Sequence, residues 1–223
     1  MGTGRSKALL ELGGKSVLER SVVAIAGAES VERVVIVTRP EDRDAMEHDL
    51  RDHRDRIAAW ADGGEERTDS VRAGVLAMPN DVDVILVHDA ARCFVDSADV
   101  NRVAVAAYDH GAALLAGRVR DTLKVSPNGF QSEESVDRDR LWAAETPQGM
   151  RTARFLDVLA RAARDGFGAT DDAGLHEHYH GPTRLVESRG YNLKITAPGD
   201  VALGEALAAV LDARSQDAGG STP

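Results

Sequence analysis

Cysteine is almost missing from this chain of 223 residues. Cys93 stands alone, which excludes an internal disulfide framework and fits a reducing, cytoplasmic setting. Long hydrophobic runs are missing too: stretches such as VVAIAGA and VILV fall far short of the roughly 20 apolar residues that a membrane span needs. No basic segment followed by an apolar one opens the chain, so export through a signal peptide is not expected. Nor is there an excess of positive charge. The net charge of −10 argues against a general nucleic-acid binder, although an acidic protein can still hold phosphates where it gathers its cations locally. Lysine is the last scarcity, with only Lys7, Lys15, Lys124 and Lys194 beside 23 arginines. A compact ammonium suits a phosphate oxygen in a tight site where a planar guanidinium would not fit, so the surviving lysines are candidate ligand contacts; a biased genome that left four by chance is the competing account.

What is present is an ordinary soluble balance, 43% hydrophobic and 29% charged, at a length suited to one α/β domain. Apolar runs alternate with amphipathic stretches. Strands are expected at Val31–Arg39, Ile57–Asp62, Val82–Asp89, Ala112–Val119 and Leu185–Thr196. Helices are expected at Ser16–Gly27, Glu41–His53, Ser70–Met78, Ala98–Gly111, Thr152–Asp165 and Val201–Arg214. Continuous apolar runs such as VILV suit strands covered on both faces, so the pattern predicts a layered α/β domain with a mostly parallel sheet. The segment 121–140 contains Pro-Asn-Gly and little apolar material, which predicts a projecting hairpin arm. The domain is expected over 1–214, with a small, polar and disordered tail at 215–223.

Several short segments could carry chemistry. In GGEERTDSVRAG, Gly63 and Gly64 permit close backbone approach, and Ser70 at an expected helix start would leave N–H groups for an anion; a plain turn is the alternative. VHDAAR ends a buried strand in Asp89 and Arg92, where α/β sheets place ligand groups. Asp89 could hold Mg²⁺ or a ribose hydroxyl and Arg92 a phosphate, or the pair could be a helix cap and a surface arginine. DTLK, ETPQ, TDDA and NLKIT are unremarkable singly. HEHYH (His176–His180) satisfies the H-E-x-x-H zinc pattern, but Gly181-Pro182 stops the helix and no third ligand motif follows, so an exposed, His-rich helix end is expected.

Taken in order, SKALLELGGKSVLERSV, GGEERTDSVRAG, VHDAAR, DTLK, LWAAETPQGM, TDDAGLHE and NLKITAPGD resemble the 2-C-methyl-D-erythritol 4-phosphate cytidylyltransferase family. The resemblance implies a Rossmann-like nucleotidyltransferase fold: a mixed, mostly parallel sheet with helices on both faces and a hairpin arm that interlocks two subunits in a homodimer. It implies CTP and a small polyol phosphate as substrates and Mg²⁺ as cofactor, with no nucleic-acid or membrane partner. Lys7 matches a transition-state lysine, and Gly63, Gly64, Ser70 and Asp89 match nucleotide-binding positions. Asp89, as metal ligand, and Arg92 match groups that meet phosphate, sugar and metal. Thr122, Arg138, Thr146, Thr170 and Lys194 match positions that hold methylerythritol phosphate, with Arg138 reaching the partner subunit and Arg138 and Lys194 orienting the attacking phosphate. Ser6 and Cys93 stand where the family has prolines.

The resemblance also implies a buried first strand and a glycine-rich triphosphate loop ahead of Met1, since Arg5 is too close to Lys7 to be that loop's arginine. Cytidylyl transfer to ribitol 5-phosphate and a catalytically inactive dimeric relative remain as alternatives, and a zinc hydrolase is a more distant one.

Overall fold

The computed structural model describes residues 6–79 and 81–219. A single helical turn at Lys7–Leu9 leads into a tight hairpin, β1 (Glu11–Leu12) and β2 (Lys15–Ser16). Helix α1 (Val17–Ala26) begins there because the Ser16 hydroxyl accepts from the Glu19 N–H at 2.8 Å, and it buries Val17, Leu18 and Val22. Strand β3 (Val34–Thr38) follows. The helix expected over 41–53 is shorter, α2 (Arg43–Asp49), because the next residues, RDHRDR, bury no side chain and tighten into a 3₁₀ turn. Then come β4 (Ile57–Asp62), α3 (Arg67–Ala77), β5 (Val84–Val87) and α4 (Ser97–His110). Beyond β6 (Ala112–Arg118) the arm is a hairpin of β7 (Lys124–Val125) and β8 (Glu134–Ser135). Strand β9 (Trp142–Arg151), α5 (Thr152–Asp165), α6 (Asp172–His180), β10 (Arg184–Glu187) and α7 (Pro198–Gly219) complete the order.

The larger sheet has the order β10-β6-β9-β5, in which β9 runs antiparallel to both neighbours and β10 parallel to β6. Strands β3 and β4 form a separate parallel pair, so among the described residues the expected sheet is divided into two. Helix α4 lies on one face, with Val100, Val103 and Ala107 in a core with Ala113 and Leu115. Helix α5 lies on the other, where Phe155, Val158, Leu159 and Ala162 share one stripe at helical spacing and pack on Ile85 and Met150. Gly149 suits this packing: a Cβ there would lie 3.2 Å from the Ala107 Cβ of α4 and run into the end of the Leu86 side chain.

Three expectations need correction. Strand β10 stops at Glu187, well before Thr196, because Gly190 and the loop after it turn away to bring Asn192 and Lys194 beside β5 and β9. Strand β9 and helix α6 occupy residues for which no element is expected. The expected tail at 215–223 is covered only in part: the backbone of α7 is helical to Gly219, and residues 220–223 lie outside the described residues.

Candidate active site

The site gathers at the carboxyl end of β5. Asp89 follows that strand, and its Oδ2 lies 2.7 Å from Lys194 Nζ. Burial works to raise the Asp89 pKa, but the Lys194 ammonium, with Arg67 and Arg92 behind it, wins and holds the carboxyl below its ordinary value. Asp89 is therefore ionised at neutral pH.

A chain of hydrogen bonds fixes this carboxylate. The Asp89 N–H donates to Thr146 Oγ1 at 3.0 Å, and the Thr146 hydroxyl faces His88 Nδ1 at 3.1 Å. His88 Nε2 lies 3.2 Å from the Arg92 carbonyl, which can only accept, so Nε2 carries the proton and Nδ1 accepts from Thr146. Neutral imidazole with its proton on Nε2 satisfies both contacts. Burial pushes the His88 pKa down to about 4 in the same sense.

Arg92 reaches across to β9 and to the segment after β10. Its guanidinium donates to the Asn192 carbonyl at 2.8 Å and lies 3.5 Å from the Ala144 carbonyl. The Asn192 amide in turn donates to Glu145 Oε2 at 2.7 Å and to the Thr146 carbonyl at 2.9 Å. Arg92 Nε and Asn192 Oδ1 are buried without a hydrogen-bond partner, which leaves one donor and one acceptor for water or a bound molecule.

The start of α3 forms the adjoining wall. The helix begins at Arg67, earlier than expected, so Ser70 is not at the helix start but in its first turn, where its hydroxyl accepts from the Gly64 N–H at 3.1 Å and its own N–H is committed to Glu66. Gly64 must be glycine because a Cβ would collide with Asp69. Gly63 donates to the Thr38 carbonyl at 2.8 Å and anchors the loop to β3. Arg67 forms a two-pronged pair with Asp172 at 3.1 and 2.6 Å, the Asp172 side chain being only 1% exposed. Burial pushes the Asp172 carboxyl up despite Arg67, and Asp171 and Asp89 add to the rise. The same Asp172 raises the Arg67 pKa against the effect of burial. Gln148 completes the floor: its amide donates to Asp171 Oδ2 at 2.9 Å, and its oxygen accepts from the Ala173 N–H at 2.8 Å.

Other expected residues fall at the edge. Lys7 Nζ donates to the Thr196 carbonyl at 2.9 Å, two residues beyond Lys194. Thr170 is exposed just before Asp171, which caps α6 by accepting from the Gly174 N–H at 2.9 Å. Thr122 and Arg138 lie on the exposed arm, Arg138 donating to the Arg120 carbonyl, and the structure does not bring either to Asp89 or Lys194. Arg67, Gln148, Asp172 and His88 are missed as individual site residues. Each sits inside a quoted motif, so the signal was position in the motif rather than residue type.

HEHYH ends α6 with Glu177, His178 and His180 exposed, as expected, and departs from expectation at one position. His176 is buried rather than exposed, and Arg154 donates to its Nε2 at 3.1 Å while its Nδ1 lies 3.0 Å from Thr183 Oγ1. Both ring nitrogens are engaged, holding α6 to α5 and to Thr183 just ahead of β10. Among the described residues no three His, Cys, Asp or Glu side chains come together as a metal cage. Burial raises the Cys93 thiol to about 11, so it is no nucleophile at neutral pH.

Residues 1–209 match the family described as 2-C-methyl-D-erythritol 4-phosphate cytidylyltransferase. The chain belongs to this family. A relative bearing that name from Geobacillus kaustophilus (strain HTA426) is 37% identical over 210 residues, covering 94% of this chain and 91% of the relative. Another, from Prochlorococcus marinus (strain MIT 9313), is 37% identical over 94% of this chain and 93% of its own length. The crystal structure of the enzyme of that name from Thermus thermophilus superposes with a TM-score of 0.75 at 34% identity, covering 91% of this chain and 93% of that one. The structure of 4-diphosphocytidyl-2C-methyl-D-erythritol synthase from Anaerococcus prevotii DSM 20548 shares the fold, with a TM-score of 0.82 at 23% identity over 92% of this chain and 91% of that one. The Rossmann-like nucleotidyltransferase fold of the family is thus the fold of this chain.

Proposed function

We propose that this chain transfers the cytidylyl group of CTP to 2-C-methyl-D-erythritol 4-phosphate and releases pyrophosphate. The observation that carries the reading is the Lys194–Asp89 pair at the end of β5, with Arg92 fixed beside it. A cation, a carboxylate and a guanidinium within one cleft are what two phosphorylated substrates and a divalent ion require.

The reaction is attack by the acceptor's phosphate oxygen on the α-phosphorus of CTP. The bond to the β-phosphate oxygen breaks as the new one forms, and no covalent enzyme intermediate is needed. The protein orients two anions and neutralises charge at the pentavalent phosphorus. Lys194 and Arg92 would orient phosphates, and Thr146 holds the Asp89 backbone so that its carboxylate keeps one position. Lys7 would meet the triphosphate, with Gly63, Gly64 and Ser70 around the base. Thr122, Thr170 and Arg138 would hold the acceptor, Arg138 serving the site of the second subunit of a homodimer.

Mg²⁺ fits these residues. It takes one or two carboxylates and completes its shell with water and substrate phosphates, so a lone ionised Asp89 suffices and a protein cage is unnecessary. When bound, the ion supplies positive charge to the phosphates. A cytoplasmic location belongs to the same reading, supported by a single buried cysteine.

The experiment is pyrophosphate release with CTP, Mg²⁺ and either acceptor. Turnover with methylerythritol phosphate is expected; turnover with ribitol 5-phosphate alone would overturn the acceptor assignment, and none with either would favour an inactive relative.

A further inference from the structure

Lys7 and Lys194 are both presented by one short segment, residues 192–197. Lys194 belongs to it, and its Thr196 carbonyl accepts from Lys7 Nζ at 2.9 Å. The segment rests on the residues that follow Asp89, with the Ile195 N–H donating to the Ala91 carbonyl at 2.8 Å. The Lys7–Leu9 turn lies against the same stretch: Ala8, Leu9 and Ala90 pack on one cluster with Ile36. Asn192 fixes the front of the segment through Glu145 and Thr146. The back is gathered on a single carboxylate oxygen. Asp200, in the first turn of α7, accepts at Oδ2 from the Thr196 N–H at 2.8 Å, the Thr196 hydroxyl at 3.0 Å and the Ala197 N–H at 2.7 Å. That last N–H belongs to the same planar peptide unit as the Thr196 carbonyl and points the opposite way. Whatever holds it sets the direction of the oxygen that receives Lys7.

We propose that Asp200 is a positioning residue for Lys7: by gripping the 196–197 peptide at its N–H it aims the carbonyl at the far side, and with it the ammonium. The inference rests on the reading in which Lys7 meets the triphosphate, and it adds the group that keeps that ammonium in place. A plain helix cap is the rival account, since a carboxylate three residues into a helix commonly reaches back to the first free N–H. Two observations go beyond a cap. The Thr196 N–H and hydroxyl lie ahead of the helix, yet both turn to the same Oδ2. The Lys7 ammonium also stands near enough to act on Asp200: donation from Ala197 and Thr196 holds the carboxyl below its ordinary value, and Lys7 adds to that effect. The peptide therefore sits between an ammonium at its oxygen and a carboxylate at its N–H, a charge-assisted bond at each end.

The test combines lysine labelling with kinetics. Because the chain has only four lysines, brief acetylation by acetic anhydride followed by peptide mass analysis reports each ammonium separately. Asp200→Ala should raise the rate at Lys7 roughly three- to tenfold and leave Lys15 and Lys124 unchanged. Asp200→Asn, whose amide oxygen can accept the same three bonds, should hold Lys7 at the parent's rate. An unchanged Lys7 in the alanine variant, a released Lys7 in the asparagine variant, or an equal rise at all four lysines would each overturn the assignment. Should the alanine variant fail to fold, Thr196→Val removes the hydroxyl bond alone; it should release Lys7 by about twofold, and equal rates reject the proposal. In turnover, Asp200→Ala should lower kcat/KM about tenfold in the parent and less than about twofold in Lys7→Met, whereas equal losses in both backgrounds would show that Asp200 acts elsewhere. The labelling needs no substrate, so it decides the positioning by itself, and an absence of turnover in the parent tells only against the assigned reaction.

Discussion

Lys194 Nζ lies 2.7 Å from Asp89 Oδ2, joining the loop after β10 to the end of β5. The side chains are 46% and 25% exposed, so the pair contributes little to stability, about 0–1 kcal/mol. Its value is positional: it holds an ammonium against the carboxylate that faces the cleft.

Lys194→Arg should therefore separate function from folding. The planar guanidinium cannot reproduce a point contact, and loss of one charged transition-state contact costs about 2–4 kcal/mol, or roughly 30- to 1,000-fold in kcat/KM. The melting temperature should move by no more than a few degrees. Lys15→Arg, on the exposed β2 hairpin, is the control; equal, negligible effects at both positions would remove Lys194 from the site.

Asp172 makes the opposite case. Its carboxylate is buried against Arg67, and removing one partner of such a pair costs about 3–5 kcal/mol. Asp172→Ala should lower the melting temperature by roughly 10 °C. Arg67→Ala should be milder at pH 5 than at pH 7. Burial has already pushed the Asp172 carboxyl up, and without arginine it takes a proton as the pH falls. Thermal melts of both variants across that range check the sign.

The pH dependence of the parent protein should report His88. Its folded pKa is about 4, against about 6.5 in an unfolded chain, so the unfolded state binds more protons between those values. Stability is complete above pH 6.5 and is lost as the pH falls toward 4, by roughly 2–3 kcal/mol from this residue. Urea unfolding of the parent and of His88→Gln should converge at low pH; parallel curves would mean that His88 does not stay neutral.

Deleting residues 126–136 tests the arm. Phe130 at its tip is 94% exposed, and β7 and β8 bury nothing. An apolar tip on an unburied hairpin fits contact with a second subunit. The deletion should yield a monomer by light scattering, and turnover should vanish with it if Arg138 serves the neighbouring site. A dimer that survives would locate the interface elsewhere.

Much of the fold is legible because apolar runs such as VILV and VVIVT are long enough to declare buried strands. Strand β9 is not, and the reason is specific. WAAETPQGMR holds Pro147 and Gly149, both signals against a central strand. Pairing with β6 lapses between the Leu114–Gln148 and Ala116–Ala144 registers, and pairing with β5 begins at Gln148. Pro147 therefore occupies a place where neither neighbour needs an N–H. That lapse also frees Glu145 and Thr146 to face Asn192 and Asp89. The motif order singled out Asp89, Arg92, Thr146 and Lys194, which the structure brings close together, whereas Arg67 and Asp172 lie 105 residues apart and no local pattern announces their pairing.

Residues 7–20 are sewn to residues 196–212. Arg20 donates to the Leu12 carbonyl at 2.8 Å and to both oxygens of Asp212 at 3.0 and 2.7 Å; Gly13 donates to Glu205, and Lys7 to the Thr196 carbonyl. On the ribosome these partners emerge long after the residues they hold, 192 positions later for the Arg20–Asp212 pair. Until Asp212 has been translated, Arg20 lacks its main ion-pair partner, and the hairpin that follows Lys7 lacks the contacts that hold it. Ribosome-stalled or clipped products ending before α7 should thus be inert as well as unstable. Helix α7 and the loop before it act as a clasp: the hairpin and the start of α1 are held in place by residues far along the chain.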